Sequence, residues 1–289
     1  YEIHERLVGS EMCIRDSADL VVLFGGLNKN TNQDCEAADR LEYGLPFGQP
    51  ELIKDLQAVN PNLVVVLLSG NAVEMPWEPS VPAIVQGWYL GTMGGKSLAN
   101  VLSGRVNPSG KLPFSFPVKL EDNGAHSFGE ICYPGDSINE KYLEDILVGY
   151  RWHDTKKIAP KYSFGHGLSY TDFTYSDAKA DVKEIADGGT VNISVTIKNT
   201  GDREGKETLQ LYIGDDKASV LRPVKELKAF AKINLAPGQS ETVTFPVTVN
   251  DLKYYDEATS SWKAEPGKFT AYIGSSSTDI RAKVNFTLK

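Results

Sequence analysis

The chain has 289 residues, enough for two domains by the usual length prior. Its 41% hydrophobic and 24% charged residues are the proportions of a soluble globular protein, and no apolar run approaches the roughly 20 residues that cross a bilayer as a helix. A net charge of −8 argues against nucleic acid or an anionic membrane as partner, since both select a basic face, and it fits a neutral substrate.

Cys13, Cys35 and Cys132 show neither metal spacing nor a dense disulfide framework, so they leave the redox compartment open. The first seventeen residues, YEIHERLVGSEMCIRDS, have no helix or strand period and no initiator Met. The run LVGSEMCIRDS resembles translated sequencing-adapter read-through. Residues 1–17 are therefore expected to be a non-native segment and are set aside, as a cloning scar would be. Genuine coding sequence is then expected to begin near Ala18, inside a domain.

From Ala18 short apolar runs alternate with helical stretches. Leu20–Phe24 reads as a strand ended by Gly25-Gly26. Glu51–Val59 reads as a helix, after Pro46 and Pro50 and before Pro61. Leu63–Leu68, LVVVLL, is a continuous apolar run of strand length, the signature of a parallel strand buried on both faces. Ala83–Trp88 is a third strand, Gly94–Leu102 a short helix, and Leu112–Phe116 a short strand after a turn-rich segment. Strand and helix in alternation predict an α/β domain with a mostly parallel sheet.

Residues 117–177 are poor in regular pattern yet rich in aromatics, among them Phe128, Tyr133, Tyr142, Tyr150, Trp152, Tyr162 and Phe164. Disordered linkers lack such rings, so an ordered, packed connection is expected. From about Ala178 apolar residues alternate with polar ones, as in Val191, Ile193, Val195 and Ile197. The same holds at Leu209–Ile213, Val243–Val249, Phe269–Ile273 and Val284–Leu288, with turn signals such as Pro237-Gly238 and Pro266-Gly267 between them. About seven short strands of this kind predict a β-sandwich of the immunoglobulin or fibronectin kind. The sandwich from about Ala178 is expected to fold alone, and the isolated chain to be aggregation-prone.

The chemical candidate is Glu36, on the loop that leaves the first strand. Open α/β sheets bind ligands at the carboxyl ends of their strands, which suits a catalytic carboxylate there. A first-turn glutamate serving the next helix's dipole is the structural alternative. Asp39-Arg40 reads as an ion pair or loop brace. His126, His153 and His166 share no metal spacing and read as loop hydrogen-bonders. Gly25-Gly26 and Gly94-Gly95 form neither GxGxxG nor a P-loop, and no GxSxG occurs. Trp77, Trp88 and Trp152 are residues that stack on sugars but are more commonly buried.

Several stretches together resemble one family: DCEAADR at 34–40, VQGWYLGTMGGKSLANVLSGRVNPSGKLPFSFP at 85–117, ILVGYRWHDT at 146–155, YSFGHGLSYTDFTY at 162–175, KNTGDREGKETLQLYI at 198–213 and PVKELKAFAKINLAPGQSETVTF at 223–245. In order and spacing they resemble the C-terminal part of a glycoside hydrolase family 3 β-glucosidase. The resemblance implies an α/β sandwich domain at 18–177, a fibronectin type III-like domain at 178–289, and a TIM-like barrel upstream that this sequence lacks. It further implies a retaining hydrolase of terminal β-D-glucosyl residues, with the nucleophilic aspartate in the missing barrel. Glu36 aligns with the family's acid/base glutamate in a pattern that reads roughly E-G-x-D-R, and Ala37 stands where Gly is usual. The chain alone is then expected to be inactive. No cofactor or metal is implied. The implied partners are a β-linked gluco-oligosaccharide or aryl β-glucoside and the barrel, with no nucleic acid and no membrane span. Export of the parent to the periplasm or medium is expected. A β-xylosidase or α-L-arabinofuranosidase of the same family, or a non-catalytic carbohydrate-binding module, are the alternatives.

Overall fold

The computed structural model describes residues 17–38 and 40–289. It divides into two compact units, one ending at Ala99 and the other comprising Asn100–Lys289. The expected non-native segment therefore lies almost wholly outside the described residues, as do Cys13 and Asp39.

The first unit is built on a parallel sheet of β1 (Val21–Gly26), β2 (Leu63–Leu68) and β3 (Ala83–Gln86), in that order. β2 is the middle strand, and Leu63, Val65, Val66 and Leu67 have no exposed surface. This is what an uninterrupted apolar run dictates: no polar residue is available to face water, so both faces must be covered. β1 and β3 are only half buried, and Phe24 on β1 keeps 54% of its surface exposed. Helix α1 (Gln49–Val59) connects β1 to β2. It starts with Pro50 in its first turn, where a missing N–H costs nothing, and buries Ile53 and Leu56. Its end is fixed by the buried Asn60, whose N–H donates to the Leu56 carbonyl and whose Nδ2 donates to the Ala18 carbonyl at 2.7 Å. Helix α2 (Gly94–Leu102) spans the division between units. Among the described residues no helix is long and apolar enough to cross a membrane.

In the second unit the strand expected at Leu112–Phe116 does not form. Only an isolated antiparallel bridge, Phe116 with Tyr162, is present. Leu112 exchanges backbone bonds with Gly165 and His166, and Phe116 with Lys161 and Tyr162, but midway the Phe164 N–H donates to the Ser115 hydroxyl at 3.1 Å rather than to a carbonyl, which interrupts the ladder. Helix α3 (Tyr150–Lys156) is the regular element of the aromatic-rich stretch. Tyr150 and Trp152 are buried there, whereas Tyr133 and Tyr142 are exposed.

The sandwich has a five-stranded sheet, order β5-β13-β12-β7-β8, and a three-stranded sheet, order β4-β6-β9. Its strands are β4 (Phe173–Ala180), β5 (Glu184–Ile185), β6 (Thr190–Asn199), β7 (Gly205–Asp215), β8 (Glu226–Leu235), β9 (Ser240–Thr248), β12 (Gly267–Gly274) and β13 (Ile280–Leu288). A hairpin of β10 (Tyr254–Asp256) and β11 (Ser261–Lys263) and a one-turn helix, α4 (Val249–Leu252), complete it. The inward residues Ile193, Val195, Ile197, Leu209, Leu211, Phe269 and Ile273 have no exposed surface and form one core.

β7 is buried on its other face too. Tyr212 there meets Tyr150 edge-on with ring centroids 5.7 Å apart, and the Leu227 N–H donates to the Tyr150 hydroxyl at 2.8 Å. Lys225 reaches Asp154 at 2.6 Å, with both side chains about nine-tenths buried. Residues between 100 and 172 thus cover the outer face of the five-stranded sheet. That differs from a sandwich that stands alone: cutting the chain at Ala178 removes most of β4 and strips the partners of buried Lys225 and Tyr212. An unpaired buried charge is among the costlier defects a fold can carry.

A polypeptide of residues 178–289 should therefore unfold at clearly lower denaturant concentration than one of residues 100–289, measured by circular dichroism. In the longer polypeptide Ile193→Ala should cost about 2–5 kcal/mol, the range for truncating a fully buried aliphatic side chain.

Candidate active site

The loop leaving β1 is shaped by a close approach. Gly26 has φ 129°, and a Cβ there would collide with the Leu68 carbonyl oxygen, so the position admits only glycine. The Gln49 side chain then pairs with the Gly26 backbone as another strand would. The Gly26 N–H donates to Oε1 at 2.7 Å, and Nε2 donates to the Gly26 carbonyl at 2.9 Å. This fastens the first residue of α1 to the end of β1.

The loop closes on itself. The Asn32 N–H donates to the Ala38 carbonyl at 2.7 Å and the Arg40 N–H to the Gln33 carbonyl at 3.0 Å. Gln33 is buried, and its Oε1 accepts from the Asn28 N–H at 3.0 Å. Glu36 lies at the tip of this ring with its side chain exposed. Ala37 beside it has φ 62°, the left-handed region that a methyl group disfavours. Cys35 is a free, half-buried thiol. The Arg40 guanidinium donates to the Ala72 carbonyl and lies over the Tyr43 ring at 5.9 Å, so Arg40 braces the loop's base against the segment after β2. Asp39, its expected partner, lies outside the described residues.

Sequence spacing gave no signal for Asp34, two residues before Glu36. Its Oδ2 accepts from the Gly70 N–H at 2.6 Å and from the Tyr89 hydroxyl at 2.7 Å. Gly70 follows β2 and Tyr89 follows β3. One carboxylate oxygen thus joins the segments that leave all three strands at their carboxyl ends, where a parallel sheet presents its ligand-binding edge. Burial, then the Asp34 carboxylate, pushes the Tyr89 hydroxyl up to about 12.

His126, His153 and His166 make their contacts within the second unit. His153 is buried and its Nδ1 lies 3.0 Å from the Ile158 carbonyl, a structural bond that closes α3. His166 stacks on Tyr162 with centroids 5.0 Å apart, and His126 packs against Tyr133 at the same separation. Both are held below the ordinary histidine range by burial; at His166 Lys111 adds to this and Asp279 opposes it, and at His126 Glu121 opposes it. Trp77 and Trp152 are buried, and Trp88 is half buried at φ 55°. The exposed tryptophan is Trp262 on the β10–β11 hairpin, against Tyr255.

The family model described as the glycosyl hydrolase family 3 C-terminal domain matches residues 11–170, more than half of the chain, and that of a fibronectin type III-like domain matches residues 207–277. A protein named β-glucosidase from Bacteroides ovatus is 58% identical over 270 residues, covering 93% of this chain and 36% of that protein. A thermostable β-glucosidase B of Acetivibrio thermocellus is 43% identical over 291 residues, covering 99% of this chain and 38% of that protein. Among solved structures, a GH3 β-glucosidase of Bifidobacterium adolescentis superposes with a TM-score of 0.88 at 37% identity, covering 95% of this chain and 40% of that one. The chain spans about a third of the length of the curated relatives it matches. It belongs to glycosyl hydrolase family 3, as an α/β C-terminal domain followed by a fibronectin type III-like β-sandwich.

Two outcomes follow from these local environments. Ala37→Gly relieves about 1 kcal/mol of left-handed strain but frees the unfolded chain by about 0.5–1 kcal/mol, so the net change in unfolding free energy should be close to zero. Ala37→Val, whose branched side chain tolerates positive φ worse, should destabilise by more than about 1 kcal/mol. The second concerns pH. His126 and His166 have folded pKa values below their unfolded ones, so the unfolded chain binds more protons below about pH 6.5. Their contribution to stability is present above that pH and is lost as pH falls through it. The urea midpoint of the second unit should be lower at pH 5.5 than at pH 7.5, and His166→Phe, which keeps a ring on Tyr162, should shrink the difference.

Proposed function

We propose that this family 3 chain supplies the general acid/base of a retaining β-glucosidase, with Glu36 as the proton donor. The observation that carries the proposal is the exposed Glu36 carboxyl at the tip of a self-closed loop on the carboxyl edge of the parallel sheet. The relatives' names support the glucoside as substrate.

A retaining hydrolase needs two carboxyl groups about 5–5.5 Å apart. In the first step a carboxylate attacks the anomeric carbon and forms a glycosyl ester. The bond from that carbon to the leaving oxygen breaks, and the Glu36 proton goes to that oxygen. In the second step Glu36, now a carboxylate, takes a proton from water as the water attacks the same carbon and releases the ester. Glu36 is restored to its acid form, and the sugar keeps its β configuration. The nucleophile in this scheme is an aspartate of a barrel domain outside this sequence. An acid catalyst also needs surroundings that keep its proton on at working pH. In this unit Glu36 faces solvent, so those surroundings too come from the surface that brings the nucleophile. The substrate is a β-linked gluco-oligosaccharide or an aryl β-glucoside, cleaved at its terminal non-reducing residue.

Purified 1–289 should not hydrolyse p-nitrophenyl β-glucoside; turnover at an ordinary enzymatic rate would exclude the split site. Residues 18–289 joined to the part of the Bacteroides ovatus relative that lies outside the match should hydrolyse it. In that protein Glu36→Gln should lower kcat on alkyl β-glucosides by about 10²–10⁴-fold, the usual worth of a positioned acid/base. The loss in the glycosylation step should be much smaller with a dinitrophenyl glucoside, whose leaving group needs no proton. Faster turnover of aryl β-xyloside or α-L-arabinofuranoside would replace glucose as the sugar while leaving the role of Glu36 intact.

A further inference from the structure

We propose that Asp34 is the positioning residue for Glu36, fixing the tip of its loop to the segments that follow β2 and β3. The inference rests on the reading of Glu36 as acid/base.

The loop from Asn32 to Ala38 is a ring closed by its own backbone, and such a ring can tilt as one body unless something outside it holds it. At its base Arg40 holds the Ala72 carbonyl. Near its tip Asp34 makes the bonds that reach beyond the β1–α1 loop: the Gly70 N–H at 2.6 Å and the Tyr89 hydroxyl at 2.7 Å, both to Oδ2. The second oxygen, Oδ1, is buried without a hydrogen-bond partner among the described residues. The carboxylate's side-chain hydrogen bonds therefore converge on one oxygen, and hydrogen bonds to a charged group are the stronger kind.

Two further features shape the anchor. Gly70 offers its N–H because it has no side chain: a Cβ there would lie 3.0 Å from the Tyr89 ring and 3.3 Å from Asp34 Oδ2. Lys29, from the same loop, lies over the Tyr89 ring at 5.8 Å. A proton donor displaced by about 1 Å from its acceptor loses much of its effect, so an anchor two residues from Glu36 bears directly on the transfer. Tyr89 carries a matching signature, since Asp34 contributes to the upward shift of its hydroxyl.

Two reporters sit in the chain. Cys35, beside Glu36, reads the tip, the buried Cys132 reads opening of the second unit, and circular dichroism under the labelling conditions checks that the first unit stays folded. In purified full-length chain, Asp34→Ala and Tyr89→Phe should speed alkylation of Cys35, mapped by peptide mass spectrometry, by about tenfold or more for the first and less for the second, with Cys132 unchanged. Asp34→Asn keeps an oxygen where both bonds converge and should restore most of the protection. By carbon-13 NMR of the tyrosine ring, Tyr89 should titrate at lower pH in Asp34→Ala than in the unaltered chain. In the joined enzyme described above, Asp34→Ala should lower kcat on alkyl glucosides far more than glycosylation by dinitrophenyl glucoside, because a misplaced acid matters only where a proton is needed.

Unchanged Cys35 reactivity in both Asp34→Ala and Tyr89→Phe overturns the proposal, as does an activity loss equal on both substrates. If instead Glu36→Gln itself shows no dependence on the leaving group, the reading of Glu36 fails, and a loosened tip in Asp34→Ala then marks a structural anchor alone.

Discussion

The burial of β2 at the middle of the sheet is the constraint on which the first unit depends. With Leu63, Val65, Val66 and Leu67 fully covered the strand has no freedom to shift its register, because a one-residue slip would misplace side chains on both faces. Its last carbonyl, Leu68, accepts from the Leu27 N–H at 2.7 Å and presses against Gly26. Just beyond it the Gly70 N–H holds Asp34 and the Ala72 carbonyl holds Arg40. The loop bearing Glu36 comes out of β1, yet its outside supports lie largely on the five residues that follow or end β2. Apolar packing inside the sheet is thereby converted into the placement of a polar tip.

The half-buried β1 stands in contrast. Val21–Gly26 has β2 on one side and no second strand partner among the described residues, and Phe24 points an apolar ring outward. Exposed edges of this kind are where sheets add strands or associate. Glu36, on the loop that leaves the same strand, is exposed as well.

Much of this was legible in the sequence. LVVVLL at 63–68 could only be a doubly covered strand, and the alternation at 190–199 could only be a strand with one wet face. β8 gave no such signal because two of its inward positions are the small Ala229 and Ala231, while the outward residue between them is the large apolar Phe230, which masks the alternation. β4 was hidden by its own irregularity: Asp177 at φ 53° and a register shift between Ser176 and Lys179 break the period of two. The opposite error, a strand at Leu112–Phe116, came from reading apolar content without allowing for Ser115, whose hydroxyl takes the Phe164 N–H that a continuous ladder would give to a carbonyl. Glu36 could be singled out from its place after a strand. Asp34 could not, because its partners are 36 and 55 residues away and spacing along the chain carries no trace of them.

Ala37 shows how local rules and a site can disagree without either being wrong. The E-G-x-D-R pattern places glycine after the glutamate, and the backbone here adopts the conformation that glycine serves, φ 62°. Alanine in that conformation carries a strain of about 1 kcal/mol, which is small beside the hydrogen bonds that close the ring at Asn32, Ala38, Gln33 and Arg40. Because the ring is closed on both sides of the tip, the strain has no easy outlet in the backbone. It is held where it arises, next to Glu36, so the methyl group tightens the local fold without dictating it.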